Sequence, residues 1–318
     1  MQFDFPSAQQ AISHIAVRTP VLDSIGLSDR LGAQVTLKLE NLQVTGSFKV
    51  RGAANKLSKL SASERSRGVI TCSSGNHGHA IAYVAERLGI PATVCVPEWV
   101  DFTKLDAMRR HGAVTLLCGK TYDEAEARSL QIQREQDLVY VHPFDDLDVI
   151  VGQGTIGVEL LDQIPGLDTC LVPLSGGGLI AGISLALKAR RPDIRVVGVS
   201  AHNARVMFES LAAGAPAAYP EDRTIATALS GGIGLENRYT FEFVKQYVDR
   251  HLLVTEDQIR AAMAFMLTEH KLVVEGGGAV AVAAVLSKQV GNSGRAVGVL
   301  VSGGNIDPAT LTQMVLPR

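Results

Sequence analysis

The sequence predicts an α/β fold of two domains, each an open, mostly parallel sheet flanked by helices. Three observations carry that prediction. Short apolar runs alternate with helical segments from Gly68 to Val141, and the alternation resumes with longer helices from Gln153 to Val301. Strands and helices in that rhythm form parallel sheets with right-handed crossovers. Glycine is plentiful, with 31 of 318 residues, while aromatic residues make up 5%, a balance that favours a glycine-punctuated α/β enzyme over a β-sandwich. Hydrophobic residues make up 46% of the chain, enough to bury a substantial core.

The elements follow in order. Pro6–Gln10 opens a helix, with Ser7 as cap and Gln10 reaching back to it, and Thr19-Pro20 ends it. Ile25–Leu31 is a short helix closed by Gly32, and Val35–Glu40 is a strand. Gly46 and Ser47 then open a helix, with Ser47 as its cap. In the next stretch, 68–72, 92–97, 114–117 and 138–141 read as strands. Ala80–Leu88, Thr103–His111 and Tyr122–Gln136 are the helices between them. After Gln153–Gln163, a helix stopped by Pro165-Gly166, come the strand 169–173, the helix 180–190 and the strand 194–199. Helices follow at 203–213, 239–248, 257–270 (capped by Thr255) and 279–287, and the last strand is 296–301. This order suggests a large domain from residues 1–65 and 143–318, with residues 66–142 inserted as a smaller four-stranded α/β domain. There is no internal repeat and no long linker.

Bulk properties remove several classes. A net charge of -2 argues against a nucleic-acid or acidic-membrane partner. No apolar stretch approaches a membrane span. The start of the chain lacks a basic segment followed by an apolar run, so a cytoplasmic location is expected. Cys72, Cys95, Cys118 and Cys170 form no C-x-x-C pair and sit by apolar runs, as buried reduced thiols do.

Four loops collect the chemistry, each after a strand or before a helix, where open α/β sheets bind ligands. The first carries Lys49. In the first helical turn the dipole and the orphan N–H groups disfavour a positive charge, which gives this lysine a reason to act as an amine nucleophile or base. An ordinary surface lysine is the bland alternative. The second, Ser73-Ser74-Gly75-Asn76-His77, can form a nest for a carboxylate at a helix start; an ordinary strand-to-helix cap fits it equally, and a histidine in such a loop more often makes a structural hydrogen bond than it catalyses. The third, Ser175-Gly176-Gly177-Gly178-Leu179, lets backbone approach a phosphate, although a glycine run alone also fits a tight turn. It lacks the P-loop signature, and the following strand runs into Ser200 rather than an acid able to bind a ribose diol. A lone phosphate therefore suits it better than a dinucleotide. The fourth, Ser302-Gly303-Gly304-Asn305, offers a hydroxyl to a ring nitrogen, although an ordinary terminal turn fits it equally. Amine, anion nest, phosphate loop and ring-facing serine together describe pyridoxal 5'-phosphate with a carboxylate substrate beside it.

With those motifs on the page, the sequence resembles the fold-type II pyridoxal-phosphate family of serine/threonine dehydratases, over essentially its whole length. Ser47-Phe48-Lys49-Val50-Arg51-Gly52-Ala53 resembles the cofactor-lysine motif and Ser73–Gly78 the substrate-carboxylate loop. Ser175–Leu179 resembles the phosphate cradle, with Ser175 where a glycine is usual. The resemblance implies a two-domain, tryptophan synthase β-like fold. It implies cofactor contacts at Phe48, Lys49, Asn76, Ser175, Gly176, Gly177, Gly178, Leu179, Glu275 and Ser302. Substrate contacts would fall at Ser73, Ser74, Gly75, Asn76 and His77, and catalysis at Lys49 and Ser74. Metal-activated relatives carry acids where this chain has Ser200 and Val206, so no metal is expected. Gly231–Phe241 resembles a subgroup that includes the hydroxyectoine-utilisation dehydratases. A homodimer without a regulatory domain is implied.

The implied activity is β-elimination on a 3-hydroxy amino acid such as L-threonine, L-serine or a hydroxyectoine-derived relative, giving a 2-oxo acid and ammonia. Racemisation or β-replacement on the same fold is the nearest alternative. A nucleotide-dependent oxidoreductase and a non-catalytic binding protein are the others; Ser200 speaks against the first and an intact Lys49 against the second.

Overall fold

A computed structural model of the chain describes residues 3–220, 222–291 and 294–315. The first helix, α1 (Phe5–Ile12), is capped by Asp4, whose carboxylate accepts from the Ser7 N–H and hydroxyl. Ser7, expected as the cap, lies inside the helix, because a carboxylate three residues earlier takes the same orphan N–H groups. The strand β1 (Val21–Asp23), α2 (Ile25–Leu31) and β2 (Gln34–Leu39) follow, with Gly32 closing α2 at φ 70°. Then come α3 (Lys49–Ser58), α4 (Ala62–Arg67), β3 (Val69–Cys72), α5 (Asn76–Leu88), β4 (Ala92–Val96) and α6 (Phe102–Arg109). β5 (Val114–Leu117), α7 (Tyr122–Gln136), β6 (Val139–Tyr140), α8 (Leu147–Gln163), β7 (Thr169–Pro173), α9 (Gly178–Arg190) and β8 (Arg195–Ala201) come next. The chain ends with α10 (Val206–Ala213), α11 (Thr240–Tyr247), β9 (Arg250–Val254), α12 (Glu256–His270), α13 (Gly276–Leu286), β10 (Ala296–Val301) and α14 (Pro308–Val315).

The chain divides into two compact units. The first comprises Met1–Val17 and Lys49–Gln153, the second Arg18–Phe48 and Gly154–Arg318. The sequence reading had assigned residues 1–65 to the larger domain. Here α1, α3 and α4 count with the smaller sheet, because Ile12, Val50, Ala53, Ala54 and Leu57 share one core with Val69, Val94 and Val96.

In the first unit four strands run in the order β5-β4-β3-β6, all parallel. Alternate residues face opposite ways along a strand. Val69 thus joins the core with α3 and α5, while Ile70 and Cys72 join Cys95, Cys118 and Ile132 on the face covered by α7. All four cysteines of the chain are free and buried.

In the second unit six strands run β1-β2-β10-β7-β8-β9, parallel except for the antiparallel edge strand β1. Leu171, Val197, Val199 and Val299 pack with α12 and α13, while Cys170, Val172, Val196 and Leu300 pack with α9 and α11. Strands buried on both faces read as continuous apolar runs, which is why β7 and β10 are plain in the sequence. β2 keeps its apolar residues for one face only: Leu37 and Leu39 enter the core with α13, and Lys38 points the other way. Two strands escaped the sequence reading. β1 has three residues and an exposed face, and β9 begins with Arg250-His251, so neither shows an apolar run.

Candidate active site

The first unit contributes an amine and a helix start. Lys49 is the first residue of α3, as its motif suggested, and is half-buried. Its Nζ donates to the Pro143 carbonyl at 2.7 Å. β3 ends at Cys72, Ser73 follows, and Gly75 caps α5, so Asn76 and His77 lie in the first helical turn rather than in a loop. The cap residue Gly75 has no side chain to offer α5, and a helix start of this kind suits an anion. Ser73 Oγ accepts from the Gly75 N–H at 3.3 Å, and Ser74 has no hydrogen-bond partner among the described residues.

The His77 ring turns inward instead of towards solvent. It is buried, and Nε2 lies 3.1 Å from the Val141 carbonyl. A carbonyl only accepts, so Nε2 carries the proton and Nδ1 is left as a buried acceptor with no partner. Burial, and then the Lys49 charge, push its pKa down to about 3. The folded state therefore holds His77 neutral, whereas the unfolded chain takes a proton below about pH 6.5. The stability this confers is complete above pH 6.5 and drains as pH falls towards 3. His77→Gln should show a shallower loss of stability over that window in urea titrations than the unaltered protein.

The second unit contributes a glycine loop and the exit of β10. β7 ends at Pro173 and α9 begins at Gly178. Gly177 sits between them at φ 89°, where a side chain would be strained and would press on Met207 and Thr240. No side chain caps α9. Ser175, the departure from an all-glycine loop, donates its hydroxyl to the Leu229 carbonyl at 2.7 Å, so it braces the loop. Gly176 beside it is half-buried, and Leu179 joins the core. Ser302 is buried and its hydroxyl has no hydrogen-bond partner among the described residues. Its carbonyl accepts from the Phe48 N–H at 3.1 Å, and Gly304 N–H donates to Gly46 at 2.9 Å, which ties the β10 exit to the segment before Lys49. Glu275 caps α13 and its carboxylate lies against Gly303, where a Cβ would overlap it. The three glycines after Glu275 belong to α13, not to a loop before it. Ser47, expected as a helix cap, is fully buried with its hydroxyl unpartnered, because its backbone pairs with Gly303 instead of turning into α3.

A family model described as "Pyridoxal-phosphate dependent enzyme" matches residues 12–303. The chain belongs to that family. It is 41% identical to the L-threonine ammonia-lyase of Thermotoga maritima, over 98% of this chain and 77% of that one. It is also 41% identical to the catabolic L-threonine dehydratase TdcB of Staphylococcus aureus, over 96% of this chain and 88% of that one. Among solved structures, maize serine racemase superposes with a TM-score of 0.92 at 36% identity, over 97% of this chain and 94% of that one.

The chain's residues fit the family's cofactor. In the first unit Lys49 supplies an amine; in the second, taken by itself, the uncapped α9 supplies an anion-binding terminus and Ser302 a buried hydroxyl with no partner among the described residues. What sequence reasoning missed is the backbone of Val141 and Pro143, the acceptors for His77 and Lys49. Carbonyl acceptors leave no mark on residue type; the only signal was their place just past a parallel strand, where such sheets keep their sites.

Proposed function

We propose that this chain is an ammonia-lyase that converts L-threonine or L-serine to a 2-oxo acid and ammonia. The observation that carries the reading is Lys49 at the start of α3 with its amine hydrogen-bonded and half-buried, in a chain 41% identical to a threonine ammonia-lyase. When bound, pyridoxal phosphate supplies a conjugated ring that disperses the charge left at the substrate's Cα. The chain's own residues do the rest. Lys49 holds the cofactor through its amine and, once free, takes the Cα proton. The N–H groups opening α5, with Ser73, Ser74, Gly75 and Asn76, bind the substrate carboxylate. The Ser175–Leu179 loop and the start of α9 take the phosphate, with Phe48 and Asn76 against the ring. Ser302 meets the ring nitrogen with a neutral hydroxyl, so that nitrogen gains no carboxylate partner to hold a proton on it. Glu275 supports the Ser302–Gly303 step. Loss of the β-hydroxyl leaves an enamine, which hydrolyses to the 2-oxo acid and ammonia.

The test is 2-oxo acid and ammonia release from a panel of 3-hydroxy amino acids. Equal yields from threonine or serine support the reading; neither product from any member of the panel would sink it. A second reading is racemisation, favoured by the unpartnered Ser74 hydroxyl in the same unit as Lys49 and by the likeness to maize serine racemase. D-Serine formation in the same incubations separates the two. A homodimer in the cytoplasm completes the proposal.

We also propose that no divalent ion is needed. Ser200 donates its hydroxyl to the Leu174 carbonyl at 2.7 Å, and Val206 is a buried apolar residue, so neither acts as a hard-cation ligand. Chelators should leave turnover within about twofold, since hard cations require several oxygen ligands. A large loss restored by magnesium would contradict this.

A further inference from the structure

The segment Val141-His142-Pro143, which leaves β6, is fixed at more points than an exit loop requires. Val141 N–H donates to the Ile70 carbonyl at 2.9 Å. Its own carbonyl accepts twice, from Thr71 Oγ1 at 2.8 Å and from His77 Nε2 at 3.1 Å. A carbonyl oxygen has two lone pairs, so this acceptor is full. Beyond it, His142 Nδ1 accepts from the Phe144 and Asp145 N–H groups at 3.3 and 2.8 Å. The proline between these anchors has a fixed φ and no N–H. What the segment presents is the Pro143 carbonyl, and Lys49 Nζ takes it at 2.7 Å.

We propose that this strap is the positioning device for the reactive amine: Thr71 and His77, acting through Val141, hold the Pro143 carbonyl where it receives Lys49 Nζ whenever that amine is free. The inference rests on Lys49 being the cofactor-holding residue and adds to it an acceptor and two supporting side chains. Thr71 is a buried residue of β3, and among the described residues its hydroxyl has no partner other than Val141. His77 is in electrostatic contact with Lys49 and His142, and the Asp145 carboxylate stands two residues past Pro143. His77 is neutral, and His142 uses Nδ1 as an acceptor.

A hydrogen bond to a carbonyl is stronger from an ammonium than from an amine, so the strap favours the protonated form of Lys49. Loosening it should lower the pH at which Lys49 becomes reactive and spoil its aim. The experiment uses the full chain, treated with hydroxylamine to free Lys49 and then given pyridoxal phosphate. Covalent capture is followed by absorbance across pH, and the site is fixed by borohydride and located by mass spectrometry. Thr71→Val keeps the shape and removes the donor; Thr71→Ser keeps the donor. Thr71→Val should shift the capture midpoint down by about half a pH unit and cut the plateau rate by about threefold or more, as expected for a lost charge-assisted bond. Thr71→Ser should match the unaltered protein. Should Thr71→Val not fold, His77→Leu against His77→Gln gives the same comparison, because glutamine keeps an N–H near the Nε2 position. Capture at Lys49 with an unmoved midpoint in the donor-lacking variant overturns the strap. Absence of label on Lys49 in the unaltered protein overturns the cofactor reading beneath it.

Discussion

Lys49→Ala abolishes release of 2-oxo acid and ammonia, and the protein no longer retains its cofactor against dialysis and borohydride. Removing the amine removes both the covalent hold and the base, so turnover should fall by at least about three orders of magnitude. The fold should hardly notice. Lys49 is half-buried, and its hydrogen bond to the Pro143 carbonyl is worth about 1 kcal/mol. Loss of activity with an unchanged urea midpoint is therefore the expected pairing. Normal turnover in this variant would end the proposal.

Glu159→Ala does the reverse, lowering stability without removing a reactive group. Lys38 on β2 has no solvent exposure. Its Nζ donates to Glu159 Oε2 at 2.5 Å, to Gln163 Oε1 at 2.8 Å and to the Thr19 carbonyl at 2.8 Å. Removing one partner of a buried ion pair leaves an uncompensated charge, at a cost of about 3–5 kcal/mol. Lys38→Met together with Glu159→Leu removes both charges and should recover most of that. Urea unfolding of both variants is the check. An effect under about 1 kcal/mol for Glu159→Ala would mean water reaches Lys38, as at an exposed pair.

The parts of this molecule legible in its sequence are those whose signal is local. β7, β10, α2 and α7 match the expected spans because apolar runs and end signals sit within the elements themselves. The positions of Lys49 and Gly177 were readable for the same reason, one by its motif and the other by its glycine run. Ser47 was misread because the choice between capping a helix and pairing with Gly303 is made by a strand at the far end of the chain. Lys38 gave no hint of a buried charge, since its partner Glu159 lies on a distant helix. For His77 the residue type favoured a structural hydrogen bond over catalysis but could not name the partner, the Val141 carbonyl sixty-four positions away.

The six-stranded sheet also sets a timetable for biosynthesis. β2 pairs with β1 on one side and with β10 on the other, so Gln34 finds its partner at Ala296. While a ribosome is making the chain, the β10 side of β2 stays open until Ala296–Val301 emerges. The four-stranded sheet has no such wait, because its strands all lie between Val69 and Tyr140. Long-range parallel pairing forms slowly, and an open strand edge invites pairing with other chains. Nascent chains stalled before Ala296 should therefore expose the unpaired backbone edge of β2 from Gln34 to Leu39. Chaperone dependence during synthesis, and inclusion bodies from versions cut before β10, are the practical results of pairing an early strand with a late one in the middle of a single sheet.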